Sequence, residues 1–323
     1  MANFPEALDP PFSASLDIRV DTSAWEIVDT EPAGAEIKYV LADPEDSHKR
    51  WFFKNNTIDD NLRYGEDYAE KIASHLAPLL QLSTATVHLA THEEVDGIIS
   101  LNVAPLGLEL AHGAVWLPSQ GITEFVRGDK FRRGHSLTNI KRSLANVKPP
   151  PGLTCPDEMT GFDAFAGMCI FDAWIANQDR HEDNWAVLHP MVRREGLEAR
   201  LSPIYDNGSS LAFNLSDERM ESLLNGSFPN VHSWASRAKA ERLERVGPQN
   251  RRVGLVEAAS QAMQLCTDIG KEFWRTQLLN IDMAEVRRLA HVIPEMSATR
   301  STFIEQLLVH NMERIHDACL DAS

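Results

Sequence analysis

The first hundred residues of the chain carry mostly the period-two pattern of strands. Leu16, Ile18 and Val20 alternate with Asp17 and Arg19, and Trp25-Glu26-Ile27-Val28 alternates more loosely. Ile37-Lys38-Tyr39-Val40-Leu41 and Trp51-Phe52-Phe53-Lys54 read as two further strands. Asp43-Pro44-Glu45-Asp46 supplies hairpin-turn chemistry between them. Residues 84–89 and 97–103 predict another strand pair, with Asp96-Gly97 helping to form its turn. From residue 65 to residue 82 the period changes. Tyr68, Ile72, Leu76, Leu79 and Leu80 recur at helical spacing, with Glu66, Glu70 and Lys71 nearer the other side. Pro78 predicts a kink or an early end to that helix.

After residue 104 the pattern shifts to helix. Residues 158–176 carry Phe162, Phe165, Met168, Ile170, Phe171 and Trp174, which predicts a largely buried helix. Amphipathic helices are predicted at 253–266, 270–279, 283–292 and 299–319. Pro149-Pro150-Pro151-Gly152 breaks any element there. Residues 1–14 are Pro-rich and predict a loose arm. The expected fold class is α+β in two lobes. A small β-rich lobe with one helix (residues 15–108) precedes a larger, mostly helical lobe (residues 109–323). That is the layout of protein-kinase-like folds, and layout alone does not establish activity.

At 323 residues the chain is long enough for two lobes, and its 43% hydrophobic and 24% charged content is ordinary for a globular protein. A net charge of −16 argues against a broad footprint on nucleic acid or anionic lipid, so no direct nucleic-acid binding is expected. Arg127, Lys130, Arg132, Arg133 and His135, extended by Lys141, Arg142 and Lys148, form a local basic cluster. Its expected state is a solvated surface loop. Cys155, Cys169, Cys266 and Cys319 lie far apart with no CxxC pair, which fits a reducing cytosol rather than a disulfide framework. The opening residues show no signal-peptide pattern, and no apolar run is long enough to span a bilayer. A cytoplasmic location is expected, with export as an effector left open.

Chemistry concentrates between residues 177 and 208. Asp179 is followed five residues later by Asn184, and Asp206 then stands two residues before Gly208. That order is the set a protein kinase uses: a base, an amide for metal, and a metal-binding Asp beside a Gly. A lone Asp-x4-Asn would be ordinary turn chemistry. The later Asp206-Asn207-Gly208, at the end of the strand-like residues 201–205, changes the weighing. Asp206 and Asn184 offer the hard oxygens that suit Mg²⁺, and Asp179 is positioned in sequence to accept a proton from a hydroxyl. Lys54 ends a strand and Glu70 follows mid-helix, the pairing by which kinases position ATP. Gly34 lies between two strand candidates, where a phosphate-contacting turn belongs, although a single Gly often marks a turn only. His181 is a candidate base or metal ligand; the competing role is to fix the loop through hydrogen bonds. Ser136, near the basic cluster, is a candidate autophosphorylation site.

Asn177-x-Asp179-x-His181-x-x-Asn184 followed by Tyr205-Asp206 resembles the HipA-like kinases, atypical bacterial serine/threonine kinases with a two-lobed fold. Residues 60–73 resemble the helix region of their shorter members. The resemblance implies a short form without the full N-terminal subdomain of HipA toxins. It implies Asp179 as catalytic base, Asn184 and Asp206 as Mg²⁺ ligands, and Lys54 on ATP phosphates. The implied partners are a protein substrate and an antitoxin or regulatory protein. The alternatives are a pseudokinase that binds nucleotide without transfer, and a kinase of a small molecule or lipid. The string Asp179-Arg180-His181-x-x-Asn184 is also similar to the catalytic loop of phosphatidylinositol kinases, whose Asp-Phe-Gly is absent here.

Overall fold

A computed structural model describes residues 19–33, 36–60, 62–104, 107–190 and 198–320. The expected arm at 1–14 and Gly34 lie outside the described residues. The first lobe contains β1 (Val20–Asp21), β2 (Ile27–Ala33), β3 (Glu36–Ala42), β4 (Arg50–Asn55) and a short ribbon of β5 (Ile58–Asp59) and β6 (Leu62–Arg63). Then follow α1 (Glu66–Leu76), β7 (Val87–His92) and β8 (Val95–Leu101). Six strands pair in the order β1-β7-β8-β4-β3-β2. All neighbours are antiparallel except β1 and β7.

Alternation along β4 assigns its two faces. Trp51 and Phe53 are buried with Leu41, Ala90 and Ile99 in a small cluster on one side. Lys54 therefore points to the opposite side with its cross-strand neighbour Ile98. On that side α1 packs through Ile72 and Leu76 against Leu89 and Ile98. A turn of 3-10 helix at Ala77–Leu80, containing Pro78, ends the helical run, and Gln81 closes it in the left-handed region.

The hairpin expected at Asp96-Gly97 is shifted. The turn residues are Glu93 and Glu94, both with positive φ, between the paired His92 and Val95. Gly97 lies inside β8 for another reason: a Cβ there would stand 2.1 Å from the Lys54 carbonyl oxygen. Glycine permits a close approach of backbones in this strand rather than a turn.

The second lobe begins with β9 (Leu108–His112), α2 (Gly113–Ser119), α3 (Leu137–Ser143), α4 (Gly161–Ile175), β10 (Ala186–Pro190) and β11 (Arg200–Leu201). It ends with α5 (Asp217–Asn225), α6 (Val231–Ala235), α7 (Leu255–Leu265), α8 (Asp268–Leu279), α9 (Met283–Ala290) and α10 (Ala298–Cys319). Every residue of α4 is buried, and Thr160 with Asp163 forms a capping box at its start. Helices α7 and α10 pack on it. The mostly helical second lobe also holds a small antiparallel sheet, β11-β10-β9, of which only the strand-like residues 201–205 near β11 were read from the sequence. Val187 pairs with Leu201 in that sheet, so the loop before β10 and the loop after β11 emerge at one edge. Ile204 also forms a parallel bridge with Thr84, which ties this edge to the first lobe.

Candidate active site

Two loops from the small sheet form the site. Residues 177–185 lead into β10, and residues 202–208 leave β11. Arg180 joins them. Its guanidinium holds both oxygens of buried Asp172 at 2.7 and 3.1 Å, and donates to the carbonyls of Asn184 (2.9 Å) and Tyr205 (3.0 Å). A further N–H donates to the Asn207 side-chain oxygen at 2.8 Å. Burial opposes the charge on Arg180, but Asp172 outweighs it and holds the group above its usual pKa. Asn177 completes the loop, donating to Asp172 at 2.9 Å and accepting the Asp179 N–H at 3.0 Å.

Asp206 takes a left-handed backbone conformation with φ of 56°. Asp tolerates this region better than most residues, and such conformations gather at functional sites. Its carboxylate faces Lys54 at 3.5 Å and Lys38 at 3.7 Å. Burial would raise the carboxyl pKa, yet the two lysines outweigh it and hold it at about 2. Next to it, Asn207 donates to Glu70 at 3.5 Å. Burial, then the Asp206 charge, pushes the Glu70 carboxyl up to about 7 against the pull of Lys54. Gly208 passes over α1, where an added Cβ would lie 3.3 Å from the Glu66 carbonyl.

Asn184 is buried, and its amide nitrogen donates to the Asp179 carbonyl at 3.0 Å. The amide oxygen is thereby left for another partner. Asp179 accepts a charged hydrogen bond from Arg242 Nε through Oδ1. Its Oδ2 lies 4.0 Å from His181 Nε2. His181 Nδ1 accepts the Asp183 N–H at 3.1 Å, which fixes the loop and places the ring proton on Nε2. Burial keeps this imidazole below its usual pKa despite the surrounding carboxylates.

The basic cluster is not uniformly solvated. Arg127 and Arg133 are exposed, whereas His135 is buried with its ring nearly parallel to that of Trp185. The Trp185 indole donates to His135 Nε2 at 3.1 Å, and His135 Nδ1 meets the Arg242 carbonyl at 2.6 Å. His135 therefore links the backbone after Asn184 to the arginine that holds Asp179. Ser136 caps α3, its Oγ accepting the Asn139 N–H at 3.3 Å.

The structure gathers Lys54, Glu70, Asn207 and Asp206 on one side of the cleft and Asp179, His181 and Asn184 on the adjoining loop. Two further side chains, Lys38 and Arg242, pair with the acids of this cleft without a local signal in the sequence. Lys38 was visible only as a polar position in a strand; it precedes Tyr39, whose cross-strand partner Phe53 precedes Lys54. Arg242 is 63 residues from Asp179 and carried no local signal. Among the described residues, no group of three or more His, Cys, Asp or Glu side chains forms a potential metal cluster. The Asp206 carboxylate and the Asn184 amide oxygen fit a hard ion that takes one or two protein ligands besides phosphate oxygens and water.

The chain is similar to the Helicobacter pylori proinflammatory kinase CtkA over 95% of its own length and 100% of that chain, at 16% identity and a TM-score of 0.70. A Shewanella oneidensis MR-1 complex of the toxin–antitoxin proteins HipA and HipB with operator DNA gives 12% identity, with 90% of this chain and 62% of that chain covered, at a TM-score of 0.49. The golgi casein kinase gives 12% identity, coverage of 95% and 75%, and a TM-score of 0.40. No protein-family model and no curated protein matches the chain. The likeness to CtkA shows the fold: a kinase-like α+β architecture with a sheet lobe and a helical lobe. No helix among the described residues is long and apolar enough to cross a membrane.

Proposed function

We propose that this protein is an ATP- and Mg²⁺-dependent phosphotransferase acting on a serine or threonine of a protein. The observation that carries the reading is the meeting of Lys54 from the sheet with Asp206 from the second lobe at 3.5 Å, on a kinase-like fold. Bound Mg²⁺-ATP supplies the phosphoryl group and neutralises its charge. Asp206 and Asn184 would hold the metal, and Lys54, with Lys38 beside it, would hold phosphate oxygens. Asp179 Oδ2 takes the proton of the attacking hydroxyl, while Arg242 fixes Oδ1 and so sets the direction of Oδ2. Glu70 accepts from the Asn207 amide and so orients Asn207 beside Asp206. His181 positions the loop through the Asp183 N–H.

Incubation with γ-labelled ATP and Mg²⁺, beside Asp179→Ala and Asp206→Ala, tests this reading. Label on the protein or on an added substrate is expected to vanish in both variants. Asp179→Ala should keep the thermal shift given by Mg-ATP, and Asp206→Ala should lose it. Unchanged labelling in Asp206→Ala would sink the assignment. Mass spectrometry of residues 130–145 locates any autophosphorylation near Ser136.

A further inference from the structure

Next to Asp179 lies a cavity of about 610 Å³ that the phosphoryl-transfer groups do not use. Six cationic side chains line it: Lys130, Arg237, Lys239, Arg245, Arg251 and Arg252. Glu241 is the one carboxylate in its wall. In a chain of net charge −16, this concentration of positive charge stands apart from its surroundings. The neighbouring acids do not balance it. Glu241 is shared between Arg245 at 3.2 Å and Arg252 at 2.8 Å, and Glu257 holds Arg251 at 2.7 Å. Among the described residues no ion pair engages Lys130, Arg237 or Lys239. Lys130 rests over the Phe131 ring at 4.7 Å, and Arg237 over the Phe228 ring at 5.8 Å. Arg245 is nine-tenths buried, with its side chain 10% exposed, and its Nη1 has no hydrogen-bond partner. A buried guanidinium N–H without an acceptor is costly, and an anion bound in the pocket would supply one.

The cavity is built into the catalytic loop. Gln178, which lines it, directly precedes Asp179 and accepts the Lys239 N–H at 3.1 Å. Glu241, also in the wall, directly precedes Arg242, which holds Asp179. An anion in the cavity would therefore lie against both the segment that carries Asp179 and the segment that carries Arg242.

We infer that this pocket takes an anionic side chain of the acceptor protein, a phosphate or a group of carboxylates close in sequence to the hydroxyl that receives the phosphoryl group. The inference rests on the kinase reading for the identity of the acceptor. A nucleic acid fits less well, because it needs a basic stripe along its backbone and this chain offers one local pocket on an acidic molecule.

Binding without turnover tests the inference independently of catalysis. Fluorescein-labelled peptides with one serine flanked by glutamates, by phosphoserine, by glutamines or by lysines are titrated at low salt and read by anisotropy. The glutamate or the phosphoserine peptide should bind on the order of tenfold more tightly than the glutamine peptide, and the lysine peptide most weakly. The stronger of the two anionic arms tells carboxylate from phosphate. Lys130→Glu/Arg237→Glu/Lys239→Glu should abolish the preference while its melting temperature reports an intact fold. If that variant does not fold, Lys130→Gln/Lys239→Gln should weaken the preference in the same direction. Equal binding of all four peptides, or a preference that survives these changes, overturns the inference. Stronger competition by a single-stranded oligonucleotide of equal charge also overturns it. The Mg-ATP thermal shift, measured on the parent and on Asp206→Asn, keeps the two readings separate. Anion preference without that shift retains the pocket and removes the kinase; the shift without preference does the reverse.

Discussion

Arg180 bears the heaviest structural demand of any single residue in the site. Its charge is buried, and its five contacts join Asp172, the Asn184 and Tyr205 backbones and Asn207. Arg180→Met would leave Asp172 buried without its partner, and should cost about 3–5 kcal/mol in urea unfolding. Adding Asp172→Asn should recover part of that loss; equal losses in both variants would argue against the ion pair as its source. Glu70 and Asp206 are neighbours driven in opposite directions, to about 7 and about 2. The sign for Glu70 follows from its raised value. Its protonated form is favoured by the fold, so its contribution is fully present below the unfolded value near 4.5 and is lost as pH rises through about 7. Glu70→Gln should therefore gain stability relative to the parent between those values, by at most about 3 kcal/mol. Parallel stability curves from pH 4.5 to pH 8 would contradict the burial of an ionisable carboxyl there. At this scale the sequence was informative where chemistry is local. Asp179, Asn184 and Asp206 are marked by spacing, whereas Lys38 and Arg242 reach the site through strand register and tertiary packing.

Strands and helices obey the same division. The buried helix α4 and the alternation in β3 and β4 were legible because each depends on its own period. β9 and β10 were not, because Ala186 pairs with His112 across 74 positions and the pairing leaves little trace in either segment alone. The β7–β8 hairpin was misplaced because a glycine has two uses. Gly97 admits the Lys54 backbone, while the turn itself falls on Glu93 and Glu94 with φ of 48° and 66°. Two non-glycine residues in left-handed conformations cost about 1 kcal/mol or more each. Glu93→Asn/Glu94→Gly matches the residues this turn geometry favours and should raise stability by about 1–2 kcal/mol. Mg-ATP binding should be unchanged, since the turn is four residues removed from Ile98, the cross-strand neighbour of Lys54. No stabilisation in thermal or urea unfolding would mean that the glutamates are held there by compensating contacts. Gly97→Ala should act oppositely, lowering stability and weakening the Mg-ATP shift, because β4 must move and it carries Lys54.

Over the whole molecule, the two lobes share one core. Ile72, Leu76 and Leu80 belong to the same buried cluster as Leu89 and Ile98 from the sheet and Phe162, Phe165 and Ile170 from α4. Among the described residues, the buried cluster on the sheet's other face is Leu41, Trp51, Phe53, Ala90 and Ile99, with Val20, Trp25, Tyr39 and Leu101 packed against it, too small to sustain an independent domain. Arg19, just before β1, adds a polar tie, reaching Asp67 of α1 at 2.7 Å and Glu295 before α10 at 3.1 Å. Two lobes in a chain of 323 residues would ordinarily unfold separately. The shared core predicts a single calorimetric transition instead. Ile72→Ala should lower that transition as a whole by opening a cavity between sheet and helices. Mg-ATP should raise it as a whole, because a ligand held by Lys54 and Asp206 spans both lobes. An early transition that alone responds to Ile72→Ala and Mg-ATP would instead show the sheet lobe unfolding by itself. The contact between Lys54 and Asp206 would then depend on how the lobes dock, and nucleotide binding would be the event that assembles the site.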